Sequence, residues 1–255
     1  MTRKLIIAGL IGFLVLLFAL LTLPARIAWQ LVQREVPNMQ LVGLHGTFWA
    51  GNADALMVAN KPLGKLTWRI PYSSMFRFAP RAQLKLDGAT VQLDGVAQRS
   101  GSNWVMSALT ASADASWLAP ALGIPAVIPT GKLAVNFSEL AFDQRGLPRH
   151  AQGNVQWLGA GVTGLAQADF GNFDVTIKND ATGTITGSIS AIGSPALDIS
   201  GGFVLQGESY SAQITLRQQI ANPNIERALA LIGEPIVGSP GARLLKIRGV
   251  LVVPK

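Results

Sequence analysis

Residues able to act as acids, bases, nucleophiles or metal ligands are sparse in this chain, and their spacing places no two useful partners together. The two histidines are His45 and His150, far apart in the sequence, and cysteine is absent. No His-Glu-x-x-His helix, Gly-x-Ser-x-Gly elbow or Gly-x-x-x-x-Gly-Lys-Ser/Thr loop occurs, so the commonest layouts for zinc, acyl transfer and phosphate chemistry are missing. Asp87 and Asp94 could pair as general acid and base, but each precedes a glycine, and Asp-Gly is a turn-forming pair. His45 lies in Gly43–Gly51, where alternation makes it an exposed strand or turn residue and not a ligand. Gly201-Gly202 reads as a strand break and not as a phosphate cradle. The expectation is a protein without catalytic, cofactor or metal site.

The elements that would carry such groups begin with a long apolar run. No charged side chain lies between Lys4 and Arg26, and Leu5, Leu14 and Leu23 mark a stretch of Leu, Ile, Val, Phe and Ala. About nineteen helical residues span roughly 28 Å, close to the ~30 Å hydrocarbon core of a bilayer. The run exceeds the core of a secretory signal peptide, and no small-x-small site suits a signal peptidase, so a retained anchor is expected. Arg3 and Lys4 just before it keep the amino terminus cytoplasmic under the positive-inside rule. The expected organisation is a cytoplasmic tip and transmembrane anchor over residues 1–25, then an exported periplasmic domain over 26–255, with an internal boundary near 120–130.

Composition narrows the partners. A net charge of +7 and a pI near 10.1 could draw anionic lipid headgroups or nucleic acid, but Arg69, Arg77, Arg81, Lys85 and Arg99 are scattered, which argues against nucleic acid. Nothing in the motifs points to a small-molecule substrate. The bilayer itself is the first partner expected.

From about residue 40 the apolar residues recur with period two, the signature of half-buried strands. Leu84 and Leu86 face one way, Asp87-Gly88 is expected to turn the chain in a type I′ hairpin, and Ala89, Val91 and Leu93 return. Further alternating runs are Leu133 to Phe137, Phe173 to Ile177, Ile185 to Ile189, Leu197 to Ile199, Ala212 to Leu216 and Leu245 to Val253. Helices are expected at Trp29–Val36, at Asp114–Leu122 and after Asn222, where Pro223 takes the first helical position and Ile225, Leu229 and Ile232 share a face. Trp29 suits a membrane boundary, while Trp49, Trp68, Trp104, Trp117 and Trp157 are expected as core plugs. Leu66-Thr-Trp68 and Val155-Gln-Trp157 suggest a duplicated sheet unit. The fold class expected is mainly β: one transmembrane helix, then a curved antiparallel sheet with one or two short helices.

Two motifs are less generic. Gly46-Thr47-x-Trp49-x-Gly51 and Leu66-x-Trp68-x-x-Pro71 follow the anchor in that order, and the carboxy-terminal strands and helix complete the pattern. This succession resembles the type II secretion system protein N family. The resemblance implies a non-enzymatic accessory subunit of the inner membrane, helping folded periplasmic proteins leave through the outer-membrane secretin by contacts with the secretin and other inner-membrane subunits. Mapped onto this chain, Gly46, Thr47, Trp49, Gly51, Trp68 and Pro71 are scaffold positions: a tight bend entering the sheet and an indole that sets its register. The competing expectation is a periplasmic lipid-handling protein, which requires a long apolar groove along the sheet.

Overall fold

The computed structural model describes residues 21–33, 39–58, 60–77, 81–119, 127–164, 167–219, 221–230, 233–239 and 241–251. Leu5 and Leu14 of the expected anchor lie outside these residues. Among the described residues no helix is long and apolar enough to cross a membrane. The chain divides into two compact units, residues 1–89 and 90–255. Residues 120–126, within the proline-rich stretch, are outside the description.

The first unit holds α1 (Ala25–Val32), β1 (Met39–Gly46), β2 (Ala50–Val58), β3 (Lys61–Arg69), a 3-10 segment (Tyr72–Arg77) and β4 (Arg81–Asp87). Its strands pair antiparallel in chain order. Ala53, Leu66 and Leu86 form one register row, alternation puts Trp68 and Leu84 on the same face of β3 and β4, and Thr67 and Lys85 share the other, while Leu41 pairs with Leu56 beyond a register shift in β2. The helix begins at Ala25, four residues before the expected Trp29, because the carbonyl of Pro24 already accepts the amides of Ile27 and Ala28 at 3.1 and 3.3 Å.

β4 stops at Asp87 and the next strand starts at Val91, so the expected two-residue turn at Asp87-Gly88 is replaced by a three-residue link. Neither Asp87 nor Gly88 adopts the positive φ a type I′ turn needs. The reason is local. Asp87 is still in the ladder opposite Lys65, and a Cβ on Gly64 would stand 2.4 Å from Gly88 Cα, so this backbone is pressed against β3.

The second unit contains β5 (Val91–Ser100), β6 (Asn103–Asp114), β7 (Val127–Phe142), β8 (Pro148–Gly164), β9 (Ala168–Asn179), β10 (Ile185–Ile192), β11 (Leu197–Gln206), β12 (Ser209–Gln218), α2 (Pro223–Ala230), β13 (Glu234–Pro235) and β14 (Ala242–Val250). Neighbours follow chain order to β12, then β14 and β13, all antiparallel. One apolar row crosses nine strands in register: Leu93, Ala111, Val135, Val155, Val175, Ile189, Gly201, Ile214 and Leu245. Period-two alternation produces such a row only if every strand keeps its register, because a slip of one residue turns the whole set outward.

The expected break at Gly201-Gly202 does not occur; β11 runs through both, and Gly201 at φ +139 lets the Gln213 carbonyl of β12 come within 2.2 Å of where a Cβ would stand. Of the helix expected at Asp114–Leu122, Ala115–Leu118 form a 3-10 turn, and residues 120–122 lie outside the described ones. The main cluster places Ile225, Ala228 and Leu229 of α2 over Phe173, Leu197, Ile199 and Leu216 of the sheet. A second one joins Leu109, Phe137, Ala151, Ile185 and Leu205. Two tryptophans expected in the core are not there: Trp104 is 52% exposed and Trp117 43%. Trp104 stands at the start of β6 and Trp117 in the short 3-10 turn, and among the described residues neither ring is covered.

Two hairpin turns share one construction. Asp143 Oδ1 accepts the amides of Arg145 and Leu147 at 2.9 and 3.0 Å, its Oδ2 receives two bonds from the Arg149 guanidinium, and Gly146 passes through φ +78. Asp180 Oδ1 likewise accepts the amides of Thr182 and Thr184 and the Thr182 hydroxyl, with Gly183 at φ +80. Arg145 also meets Glu208 at 2.7 Å, linking the β7–β8 turn to the β11–β12 turn.

Burial alone would raise the Asp143 carboxyl, but the Leu147 amide, the Arg149 guanidinium and the Arg145 amide outweigh it and hold it below its ordinary value. The Thr182 hydroxyl, then the Thr184 amide, lower Asp180. A depressed folded pKa stabilises the fold above the unfolded value of about 3.9, and that contribution disappears as pH falls through the folded value. Denaturant midpoints of the full chain are therefore expected to hold steady down to about pH 5 and to decline below it. Asp143→Asn with Asp180→Asn should make that acid decline shallower. An unchanged slope would show that these turns do not carry it.

Candidate functional site

The six motif positions come from two stretches of chain, and the fold brings them to one corner of the first unit. Gly46, at φ +88, turns β1 into a short connection in which the Thr47 amide donates to Ala50 O at 2.9 Å. The Ala50 amide returns a bond to Thr47 Oγ1 at 3.2 Å. A Cβ on Gly46 would lie 2.5 Å from the Ala50 carbonyl, so this bend requires glycine twice over, for conformation and for space.

Across the strand, Trp68 donates its indole N–H to Phe48 O at 3.1 Å. Gly51 is its register partner, and a Cβ there would meet the Trp68 ring and the His45 carbonyl, each at 2.5 Å. Trp49 is 4% exposed, edge-on to Phe48 at 5.0 Å and tilted against Tyr72 at 5.3 Å. Its carbonyl takes the Ile70 amide at 2.6 Å. Pro71 starts the 3-10 segment, its carbonyl accepting both the amide and the hydroxyl of Ser74 at 3.0 and 2.7 Å. The arrangement is a clamp. Main-chain and indole hydrogen bonds lock the β1–β2 turn onto the end of β3.

Leu23 is the anchor residue that falls among the described ones. The Phe48 amide donates to its carbonyl at 2.8 Å, and Pro24 bridges to Thr47, so the segment entering α1 is stitched to the same turn. Sequence reasoning missed this contact. It also missed a cavity of about 210 Å³ in the first unit, walled by Ala25, Ala28 and Trp29 of α1 and, opposite, by Leu44, Trp68 and Leu84. The i, i+3, i+4 spacing of those α1 residues was a readable signal for it.

The residues weighed for catalysis stay apart. His45 Nε2 is 3.5 Å from Asp54 Oδ2, with both side chains well exposed. His150 is on β8 opposite Ala141, Asp87 on β4 opposite Lys65, and Asp94 on β5 opposite Thr110. Among the described residues no group of three or more His, Cys, Asp or Glu is placed to hold a metal ion. In the second unit Trp157 donates its indole N–H to Thr130 O at 2.8 Å and packs edge-on to Phe173.

Comparison with known proteins adds two matches. The family described as type II secretion system (T2SS), protein N, matches residues 37–242. The type II secretion system protein N of Aeromonas hydrophila is 28% identical over 247 residues, covering 92% of this chain and 94% of that protein. No solved structure matches the chain.

Proposed function

Because the chain belongs to the type II secretion system protein N family, we propose that it acts without catalysis, as an inner-membrane subunit that docks other secretion subunits through the edges of its sheets. In this reading residues 1–25 form the cytoplasmic tip and single-pass anchor, and residues 26–255 stand in the periplasm. The charge-free run bounded by Lys4 and Arg26 supports the anchor, and Arg3 and Lys4 support its orientation. The stitched corner at Leu23, Phe48 and Trp68 supports a scaffold role, since it couples the entering segment rigidly to the first sheet.

The observation that carries the docking reading is the outer edge of β14. From Leu245 to Val250 it pairs with β12 on one side and, among the described residues, with no strand on the other. Such an edge offers main-chain hydrogen bonds to an added strand, and Lys246 and Arg248 along it discourage self-pairing. The partners are the secretin's periplasmic rings or other inner-membrane subunits. The apolar face of the second unit is filled by Phe137, Phe173 and the α2 side chains, which supports a scaffold over a lipid-carrying trough.

A photocrosslinking residue placed at Arg248, or at Gly88, in the full chain in secreting cells tests this. Capture of a secretin or an inner-membrane secretion subunit from Arg248 is expected. Capture of no secretion-system protein from either position overturns the docking reading.

A further inference from the structure

The chain's charge is divided unevenly between its two units. Residues 1–89 contain ten Lys and Arg against three Asp and Glu, a formal +7, whereas residues 90–255 contain eleven of each. The whole surplus therefore belongs to the unit that contains the apolar run. That same unit contains the 210 Å³ cavity between α1 and the sheet, and every residue lining it is apolar or aromatic. The one polar atom that a lining indole such as Trp68 could offer is already spent, because its N–H is bonded to Phe48 O. The lining thus offers an occupant almost entirely apolar surface, which suits hydrocarbon.

We propose that this cavity seats part of an acyl chain of an anionic phospholipid from the bilayer the chain enters. Three observations select that occupant. The cavity exceeds the ~150 Å³ apolar void that takes up benzene or xenon, yet falls below the ~300–1,000 Å³ of pockets that enclose a whole small molecule. It fits a length of chain and not a complete lipid. Its α1 wall begins at Ala25, two residues after the apolar run ends at Leu23, so in the anchored placement proposed above the cavity is only a few residues of chain from the bilayer. With Arg3 and Lys4 on the cytoplasmic side, residues 26–89 keep eight Lys and Arg against three Asp and Glu, a formal +5 that complements an anionic headgroup layer, and basic residues near such a surface attract it additively. The seat would pin the scaffold's first unit to the membrane plane, with the tail held in place and not carried away.

The inference rests on the anchored placement proposed above, and its test separates the two. The full chain is reconstituted in phosphatidylcholine vesicles with and without phosphatidylglycerol, each bearing a trace of phospholipid with a photoreactive diazirine near the acyl terminus. Alkaline carbonate washing comes first; release of the protein overturns the anchor, and the lipid seat with it, before any label is mapped. With wash-resistant protein, adducts on peptides containing Leu44, Trp68 and Leu84 are expected, roughly tenfold stronger with phosphatidylglycerol. Ala82→Phe, or Ala28→Phe should the first misfold, should fill the cavity and remove these adducts while wash resistance persists. Adducts confined to residues 5–23 overturn the proposal. So does cavity labelling that arises only in Phe78→Ala, since the chain's own segment 78–80 would then be the occupant. Equal labelling in both vesicle types overturns the anionic preference.

Discussion

Trp49→Ala is expected to remove about 3–5 kcal/mol from the stability of the first unit, the usual range for truncating a buried aromatic side chain. Trp49 is 4% exposed and touches two rings, Phe48 edge-on and Tyr72 tilted, so truncation loses both the burial and the ring–ring contacts. The void cannot close easily. Trp49's backbone is held by the Ile70 amide, and the adjoining Phe48 carbonyl by the Trp68 indole. A loss of this size is a large share of the ~5–15 kcal/mol that stabilises a typical domain. Trp49→Phe, which keeps a ring against Tyr72, should cost less than half as much. Urea unfolding of the full chain in detergent, with hydrogen exchange at the amides of β1–β3, measures both. A Trp49→Ala midpoint close to wild type would mean that the corner is not what holds these strands together.

That corner shows how far residue patterns can be read. The strands were legible because each has one dry face, and alternation at Leu84, Leu86, Val175, Ile177, Ile214 and Leu245 leaves no other element. The start of α2 was legible because a cap needs little context: Asn222 Oδ1 accepts the Asn224 amide at 2.9 Å and Pro223 opens the helix. Burial of the tryptophans was not legible, because it depends on what lies above each ring. Trp49 lies in the β1–β2 connection and Trp104 at the start of β6, and only tertiary structure puts Tyr72 over the first and leaves the second open. The Asp87-Gly88 link misled for a related reason: turn propensity describes an isolated pair, whereas the close approach of Gly64 decides this one. The aspartate turns at Asp143 and Asp180 could have been found, since each begins Asp-x-x-Gly and glycine at the fourth place supplies the positive φ. The clamp binding Leu23 to Phe48 left no trace, because main-chain hydrogen bonds carry no residue signature.

Ile225→Asp is the second substitution expected to have a large effect, and it acts on the other unit. Ile225 is fully buried, with Ala228 and Leu229 beside it, among Phe173, Leu197, Ile199 and Leu216. Losing its apolar burial removes roughly 1.5–3 kcal/mol. The new carboxylate would lie in a cluster made only of apolar side chains, and the nearby Arg227 is two residues along the helix and exposed, so it faces elsewhere. An unpaired buried charge costs several kcal/mol more, which the chain can avoid only by letting the helix leave. Eight residues cannot remain helical without tertiary support, so undocking and unwinding of α2 should coincide. A total near 4 kcal/mol is expected for the docked state, against about 0.5–1.5 kcal/mol for Ile225→Val. The strands beneath need not follow, because β9 to β12 are joined by their own ladders. Loss of amide protection across residues 223–230, new proteolytic cleavage there and uptake of an apolar dye by the uncovered face should appear together, with the strand amides still protected. If the α2 amides keep their protection in Ile225→Asp, packing on the sheet is not what orders this helix. If the strand amides lose theirs as well, the helix is the keystone of the second unit and not a cover over it.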